Sequence, residues 1–377
     1  MNSLKRYSAL LFISLMVIIG GVAASRFRMN SAVEPIYPGP GVTRQTSLSE
    51  YLPSLKGTAG DSRVYVLEGK EPGATVLVLG GVHPPEISGV LTSVILIENA
   101  ELEAGRLIVI PQSNASAFTY TPPGEGWPSQ VEIKTSSGSI RRFRLGDRLT
   151  NPRDQWPDPD VYSHYPSGRL LAGSEVRNLN RSFPGRPDGL FTERVAYAIT
   201  ELVRRERVNL VIDLHEAPPQ YPAVNVLVRH EKAGELVAGA VMDLKAFDGV
   251  SITAEPSPAA LRGLSHRELG DHTDAYATLA ETANVILWPL RGKSNSELVL
   301  TGKDDFVLKA ARARKLYVKY DESGLPIELR VARHIATVTR LMEGLAYENE
   351  AWVVKISGLP TYDEVVGGYI GDWLRGE

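Results

Sequence analysis

Thr75-Val76-Leu77-Val78-Leu79-Gly80-Gly81-Val82-His83-Pro84-Pro85-Glu86 decides the fold class of this chain. The apolar run from Thr75 to Leu79 is too short for a helix and too continuous for a half-exposed strand, so it reads as a strand covered on both faces. Gly80-Gly81 ends it, and helical spacing resumes from Ser88 to Asn99. His83 and Glu86 therefore fall between a buried strand and a helix, at the carboxyl edge of a sheet, where open α/β folds place their ligands. A His and a Glu three residues apart in a turn can point to one side and share a cation. By itself His-x-x-Glu arises often by chance.

A second stretch repeats the reading. Val211-Ile212-Asp213-Leu214-His215-Glu216 is again a buried strand that ends in a histidine. Alone, His215 reads as a core histidine satisfied by Asp213. With His83 and Glu86 it completes a set of two His and one Glu, which holds zinc and leaves a fourth position open for water. The chain has no cysteine, so any metal must be held by His, Asp or Glu.

Outward from these two stretches, strand patterns lie at Arg63–Leu67, Arg106–Ile110, Ala223–Val228, Ala275–Ala280 and Val285–Trp288. Helical patterns lie at Phe191–Arg207, Glu231–Phe247 and, near the C-terminus, on Ile327, Val331, Ile335, Val338 and Leu345. The alternation predicts an α/β fold with a mixed, largely parallel central sheet flanked by helices. Residues 113–190, rich in Pro, Gly, Ser, Trp and Tyr, lack periodicity and read as binding loops. Within them Asn178-Leu179-Asn180-Arg181-Ser182-Phe183-Pro184-Gly185 offers a guanidinium fork for a carboxylate at Arg181, and Asn180 adds a donor. The plain alternative is a surface turn with a solvated Arg.

His-x-x-Glu, an Asn-Arg pair before Phe-Pro-Gly, and a strand ending Asp-Leu-His, in that order, resemble the zinc carboxypeptidase superfamily. The Asp213-Leu214-His215-Glu216-Ala217 segment is most similar to its succinylglutamate desuccinylase/aspartoacylase branch. The resemblance runs from about residue 60 to 310. It implies one zinc ion per chain, held by His83, Glu86 and His215. It implies that Asn180 and Arg181 bind a substrate carboxylate and polarise the scissile carbonyl. The carboxylate base that the superfamily carries on a later strand falls on Glu281, at the end of Ala275-Tyr276-Ala277-Thr278-Leu279-Ala280-Glu281. Arg169 and Arg177, both in the loop region, are the candidates for clamping a far carboxylate. In one respect the chain departs from the pattern: Asn178 stands where an Asp would steady a metal-bound His.

Lys5 and Arg6 precede an uncharged apolar run from Tyr7 to Ser25, the pattern of an export signal or signal-anchor. Val22-Ala23-Ala24 suits cleavage before Ser25, whereas Arg26 and Arg28 suit retention, and either outcome puts the rest of the chain outside the cytoplasm. The expected organisation is a signal or anchor at 1–28, a Pro-containing linker at 29–60, a zinc-hydrolase domain at 61–310, and a helical extension at 311–377 packed on it. A formal charge of -3 over 377 residues offers no attraction to nucleic acid. Lys309, Arg312, Arg314, Lys315 and Lys319 read as a solvated helix face.

The expected activity is hydrolysis of an amide bond beside a carboxylate in a small N-acyl amino acid. Two alternatives stand beside it: an exported metallocarboxypeptidase acting on short or cell-wall peptides, and a membrane-tethered binding protein without catalysis. Retention of the three ligand-type residues together with Glu281 argues against the last.

Overall fold

All eight residues of Leu210–Ala217 are buried, because this strand lies inside a nine-stranded sheet with helices on both of its faces. The computed structural model describes residues 2–31, 34–122, 127–287 and 290–376. In chain order the strands are β1 (Val42–Ser47), β2 (Arg63–Glu68), β3 (Glu71–Leu79), β4 (Glu101–Ile110), β5 (Gln130–Lys134), β6 (Ile140–Arg144), β7 (Val161–Ser163), β8 (Leu170–Ala172), β9 (Leu210–Ala217), β10 (Val226–Arg229), β11 (Thr253–Pro256), β12 (Tyr276–Ala283) and β13 (Lys355–Ser357). The helices are α1 (Asn2–Ser31), α2 (Ile87–Asn99), α3 (Phe191–Arg205), α4 (Gly234–Phe247), α5 (Ser265–His272), α6 (Ser296–Thr301), α7 (Asp305–Arg312), α8 (Ile327–Glu348) and α9 (Tyr362–Gly367).

The sheet order is β1-β2-β4-β3-β9-β12-β10-β11, with β13 pairing β4. Its centre, β4, β3, β9 and β12, is parallel, while β1, β2, β13 and β10 join antiparallel, so the sheet is mixed as expected. The central strands are apolar throughout because both faces are covered. Residues of α3 close one face, and α2, α4 and α8 supply side chains to the other clusters. On α8 the positions picked out by helical spacing, Ile327, Val331, Ile335, Val338 and Leu345, are all buried. Burying each such side chain stabilises by roughly 1.5–3 kcal/mol.

Three expectations need correction. The stretch 29–60 is more than a linker: Val42–Ser47 pairs antiparallel with β2 as an edge strand. Exposed Thr43 and Gln45 alternate with half-buried Val42, Arg44 and Thr46, as an edge facing water on one side requires. Val285–Leu287 is a 3-10 turn, not a strand, because the Asn284 side-chain oxygen accepts from Ile286 N at 3.1 Å and draws the chain round. Trp288, the last residue of that expected strand, lies outside the described residues. The stretch 311–377 is not purely helical, since Lys355–Ser357 adds β13 to the sheet.

The segment Met1–Pro35 forms a unit separate from Ile36–Glu377. Within it, the helix Arg6–Arg28 is long and apolar enough to cross a bilayer.

Candidate metal centre

The chain leaves β3 through Gly81, whose φ of +63° favours glycine and whose missing side chain makes room for the Phe118 ring. The turn that follows delivers His83 and then Glu86, which holds the N-cap position of α2. The Glu86 carboxylate makes no cap bond and turns back toward the sheet. Its Oε1 lies 2.8 Å from His83 Nδ1, and its Oε2 lies 2.7 Å from His215 Nδ1. Gly89 lets α2 approach β9 closely, since a Cβ there would meet the Leu214 carbonyl oxygen at 2.7 Å. The structure thus brings together the three residues named from sequence. All are buried, the two imidazole rings stand 4.8 Å apart and near-perpendicular, and the ligand atoms lie within 4.8 Å of one another.

The donor chemistry of this trio fits a cation. Asn178 Nδ2 donates to Glu175 Oε2 at 2.7 Å, which fixes the amide and points its Oδ1 at His83 Nε2, 3.0 Å away. An amide oxygen only accepts, so the network assigns the His83 proton to Nε2 and leaves Nδ1 a bare lone pair. Burial, helped by the positive charge of Arg148, pushes the His83 pKa down to about 4, so the ring is neutral. A lone pair therefore faces a carboxylate oxygen at 2.8 Å in a buried site. Two acceptors in that position call for a positive charge between them.

His215 is held by carboxylates on both sides. Its Nε2 lies 2.9 Å from Asp213 Oδ2, as an ion-pair contact without hydrogen-bond alignment. Burial disfavours its charged form, but Asp213 and Glu86 outweigh that and hold its pKa well above the usual value. Burial likewise opposes ionisation of Glu86, and the two histidines reverse it, keeping the carboxylate ionised. Two imidazoles and one carboxylate are a donor set that suits zinc and leaves a coordination position free.

The departure at Asn178 has a local cause. Its amide also accepts from Asn180 N at 3.0 Å, so one side chain ties Glu175, His83 and the Asn-Arg turn together. An Asp there could not donate to Glu175 and would face it as a like charge.

Glu281 pairs with His215 across neighbouring parallel strands and lines the same cleft, which holds about 570 Å³. Its Oε2 is enclosed and has no hydrogen-bond partner among the described residues. Burial, opposed by His215 and reinforced by Glu86, pushes its pKa up to about 8. Glu216, the next acid on β9, is different. Its Oε1 accepts from Arg330 Nη1 at 2.8 Å, and its Oε2 accepts from Asn284 Nδ2 at 2.9 Å and Ser88 N at 3.3 Å. With both oxygens engaged, Glu216 is a structural acid.

Asn180 and Arg181 both line the cleft. Asn180 Oδ1 accepts from Ser265 N at 2.8 Å, and Arg181 Nη1 donates to the Asn180 carbonyl at 2.7 Å. Burial and the nearby charge of Arg148 lower the Arg181 pKa. Arg177 and Arg169 do not line the cleft. Arg177 is tied to Asp158 at 2.7 and 2.9 Å and to the Thr150 carbonyl, so it is committed to the loop framework. Arg169 donates to the Ala260 carbonyl.

The cation that sequence reading missed is Arg148, half-exposed in the cleft with Nη1 3.9 Å from Glu86 Oε1. It stands in the aperiodic loop region, where no local pattern distinguishes one Arg from another. His266, buried on the first turn of α5 with Nδ1 unpartnered among the described residues, and Glu255, on β11, also line the cleft, and no local motif marks either one.

No protein-family model and no curated protein matches the chain. Among solved structures it is similar to a succinylglutamate desuccinylase from a Silicibacter species, with 18% identity, a TM-score of 0.36, and 59% of this chain covering 54% of that one. It is similar to an aspartoacylase family protein from Mesorhizobium loti, with 20% identity, a TM-score of 0.35, and 59% of this chain covering 56% of that one. It is also similar to a metallo-carboxypeptidase from Burkholderia cenocepacia, with 11% identity, a TM-score of 0.44, and 82% of this chain covering 66% of that one. The chain thus spans little more than half the length of the first two.

Proposed function

We propose that the protein is a zinc-dependent hydrolase that cleaves an amide bond next to a carboxylate, with one zinc held by His83, Glu86 and His215. The observation that carries this reading is the buried Oε2 of Glu281, unpartnered among the described residues, beside a donor set of two imidazoles and one carboxylate that suits zinc. When bound, zinc supplies Lewis acidity that acidifies a water and polarises a carbonyl. Glu281 accepts the proton of the attacking water and returns it to the leaving nitrogen, a general base and then a general acid. Arg181, with its fixed guanidinium, stabilises the oxygen that becomes negative, and Asn180 orients the substrate carboxylate. Arg148 takes the clamping role that Arg169 and Arg177 are not placed to fill.

The reading covers N-acyl amino acids first and short or cell-wall peptides second. The apolar helix Arg6–Arg28 favours the second, since it suits a protein exported and either anchored or released outside the cytoplasm. On this reading residues 61–310 form the catalytic domain and 311–377 support it. The test is to load the full chain with one equivalent of zinc and assay N-acyl amino acids and short peptides. Hydrolysis that a chelator abolishes and zinc restores is the expected outcome; turnover indifferent to chelation would overturn the zinc mechanism.

A further inference from the structure

The cleft extends past Glu281 along the sheet to an acid on β11. Leu279 on β12, Val228 on β10 and Glu255 on β11 are aligned in register across neighbouring strands, and all three line the cleft. Residues two apart on a strand share a face, and directly paired residues do so too, so Glu255 lies on the face that carries Glu281 and His215. Two strand spacings and two residues separate Glu281 from Glu255, which places their Cα atoms roughly 12 Å apart. Leu279 and Val228 form an apolar floor between them, and Pro256, Pro258 and Leu261 add apolar walls. The Glu255 side chain is exposed and forms no ion pair or hydrogen bond among the described residues.

The same wall leads back to Asn180 and Arg181. Gly263 lies against the Arg181 backbone, with a Cβ there 2.4 Å from its carbonyl oxygen, and Ser265 N donates to Asn180 Oδ1. A residue whose carboxylate sits on Asn180 and Arg181 therefore has its side chain directed along an apolar channel that ends in a carboxylate. Four methylenes tipped with an ammonium match that channel in polarity and charge.

We propose that the cleft selects a substrate whose carboxylate-bearing residue carries a lysine-like alkylammonium arm, with its methylenes over Leu279 and Val228 and its charge on Glu255. This rests on the hydrolytic reading for the direction of the substrate, but the pocket can be tested without turnover. Binding of lysine, norleucine and glutamate to the purified full chain is measured by calorimetry, in wild type, Glu255→Gln and Glu255→Lys. The expected result is lysine preferred over glutamate by roughly tenfold in wild type, a preference much reduced in Glu255→Gln and reversed in Glu255→Lys. Equal binding in wild type, or a lysine preference that survives Glu255→Lys, overturns the proposal. Hydrolysis of N-acetyl-Ala-Lys and N-acetyl-Ala-Glu by the zinc-loaded protein separates the two readings. Turnover of both peptides at a ratio that Glu255→Lys leaves unchanged removes the pocket and keeps the hydrolase. A lysine preference in binding with no turnover of either peptide keeps the pocket and removes the hydrolase.

Discussion

Glu216 and Glu281 sit at neighbouring strand ends, one residue out of register, yet their surroundings are opposite. Glu216 meets Arg330, whose side chain is 1% exposed, together with Asn284 and the Ser88 amide, so every lone pair that matters is engaged within the protein. Arg330 also donates to the Val299 carbonyl, which ties α8 to α6. Among the described residues Glu281 has no such partner on Oε2, and beside it the bare Nδ1 lone pair of His83 faces Glu86 Oε1 at 2.8 Å. Burying an ionisable group is tolerable when the fold supplies its partner. A cluster left unsatisfied in one place, on the side that opens into a cleft, is where a partner from outside can bind.

The sharpest way to break this comparison is to remove the internal partner. Arg330→Met should lower folding stability by about 3–5 kcal/mol, measured by chemical denaturation, because it strands a buried carboxylate. Loss of less than about 1 kcal/mol would mean that Glu216 is as open to rescue by water as Glu281, and the distinction would collapse.

A smaller effect separates the two acids by pH. Burial raises the Glu281 pKa to about 8 in the metal-free fold, above its usual 4.5. A raised carboxyl pKa penalises the charged form, so its stability contribution is complete below pH 4.5 and is lost as pH rises toward 8. Metal-free wild type should therefore lose stability across this window relative to Glu281→Gln, which cannot ionise. Parallel stability curves for the two proteins would place Glu281 in water.

The smallest effect concerns Asn178. Asn178→Asp should weaken zinc binding about tenfold, since the new carboxylate faces Glu175 and loses its hold on the turn. Adding Glu175→Gln restores the donor geometry and should recover the affinity. If the single variant binds zinc as tightly as wild type, the account of this departure fails.

The core and the convergence of His83, Glu86 and His215 were legible in sequence for one reason. Strands covered on both faces are written as unbroken apolar runs, and a polar residue that ends such a run, as His83 and His215 do, has few places to go. Edges were less legible. Val42–Ser47 is half-exposed and polar, so its composition matches a linker, and only its pairing with β2 makes it a strand. Arg148, His266 and Glu255 reach the cleft from three different elements or loops, and what selects them is tertiary placement with no local pattern. Arg177 illustrates the converse: a loop arginine of the right kind that the fold spends on Asp158.

Measuring kcat and zinc content together in Glu281→Gln tests the role of Glu281 as the base most directly. The amide keeps the shape of the carboxylate but cannot accept the proton of water. The account predicts one zinc per chain, as in wild type, with kcat lowered ~100- to 10,000-fold, or roughly 3 to 5.5 kcal/mol of barrier. His215→Ala, by contrast, should lose zinc and activity together. Full turnover in Glu281→Gln would contradict the assignment of the base, and equal zinc loss in both variants would make Glu281 part of the metal site.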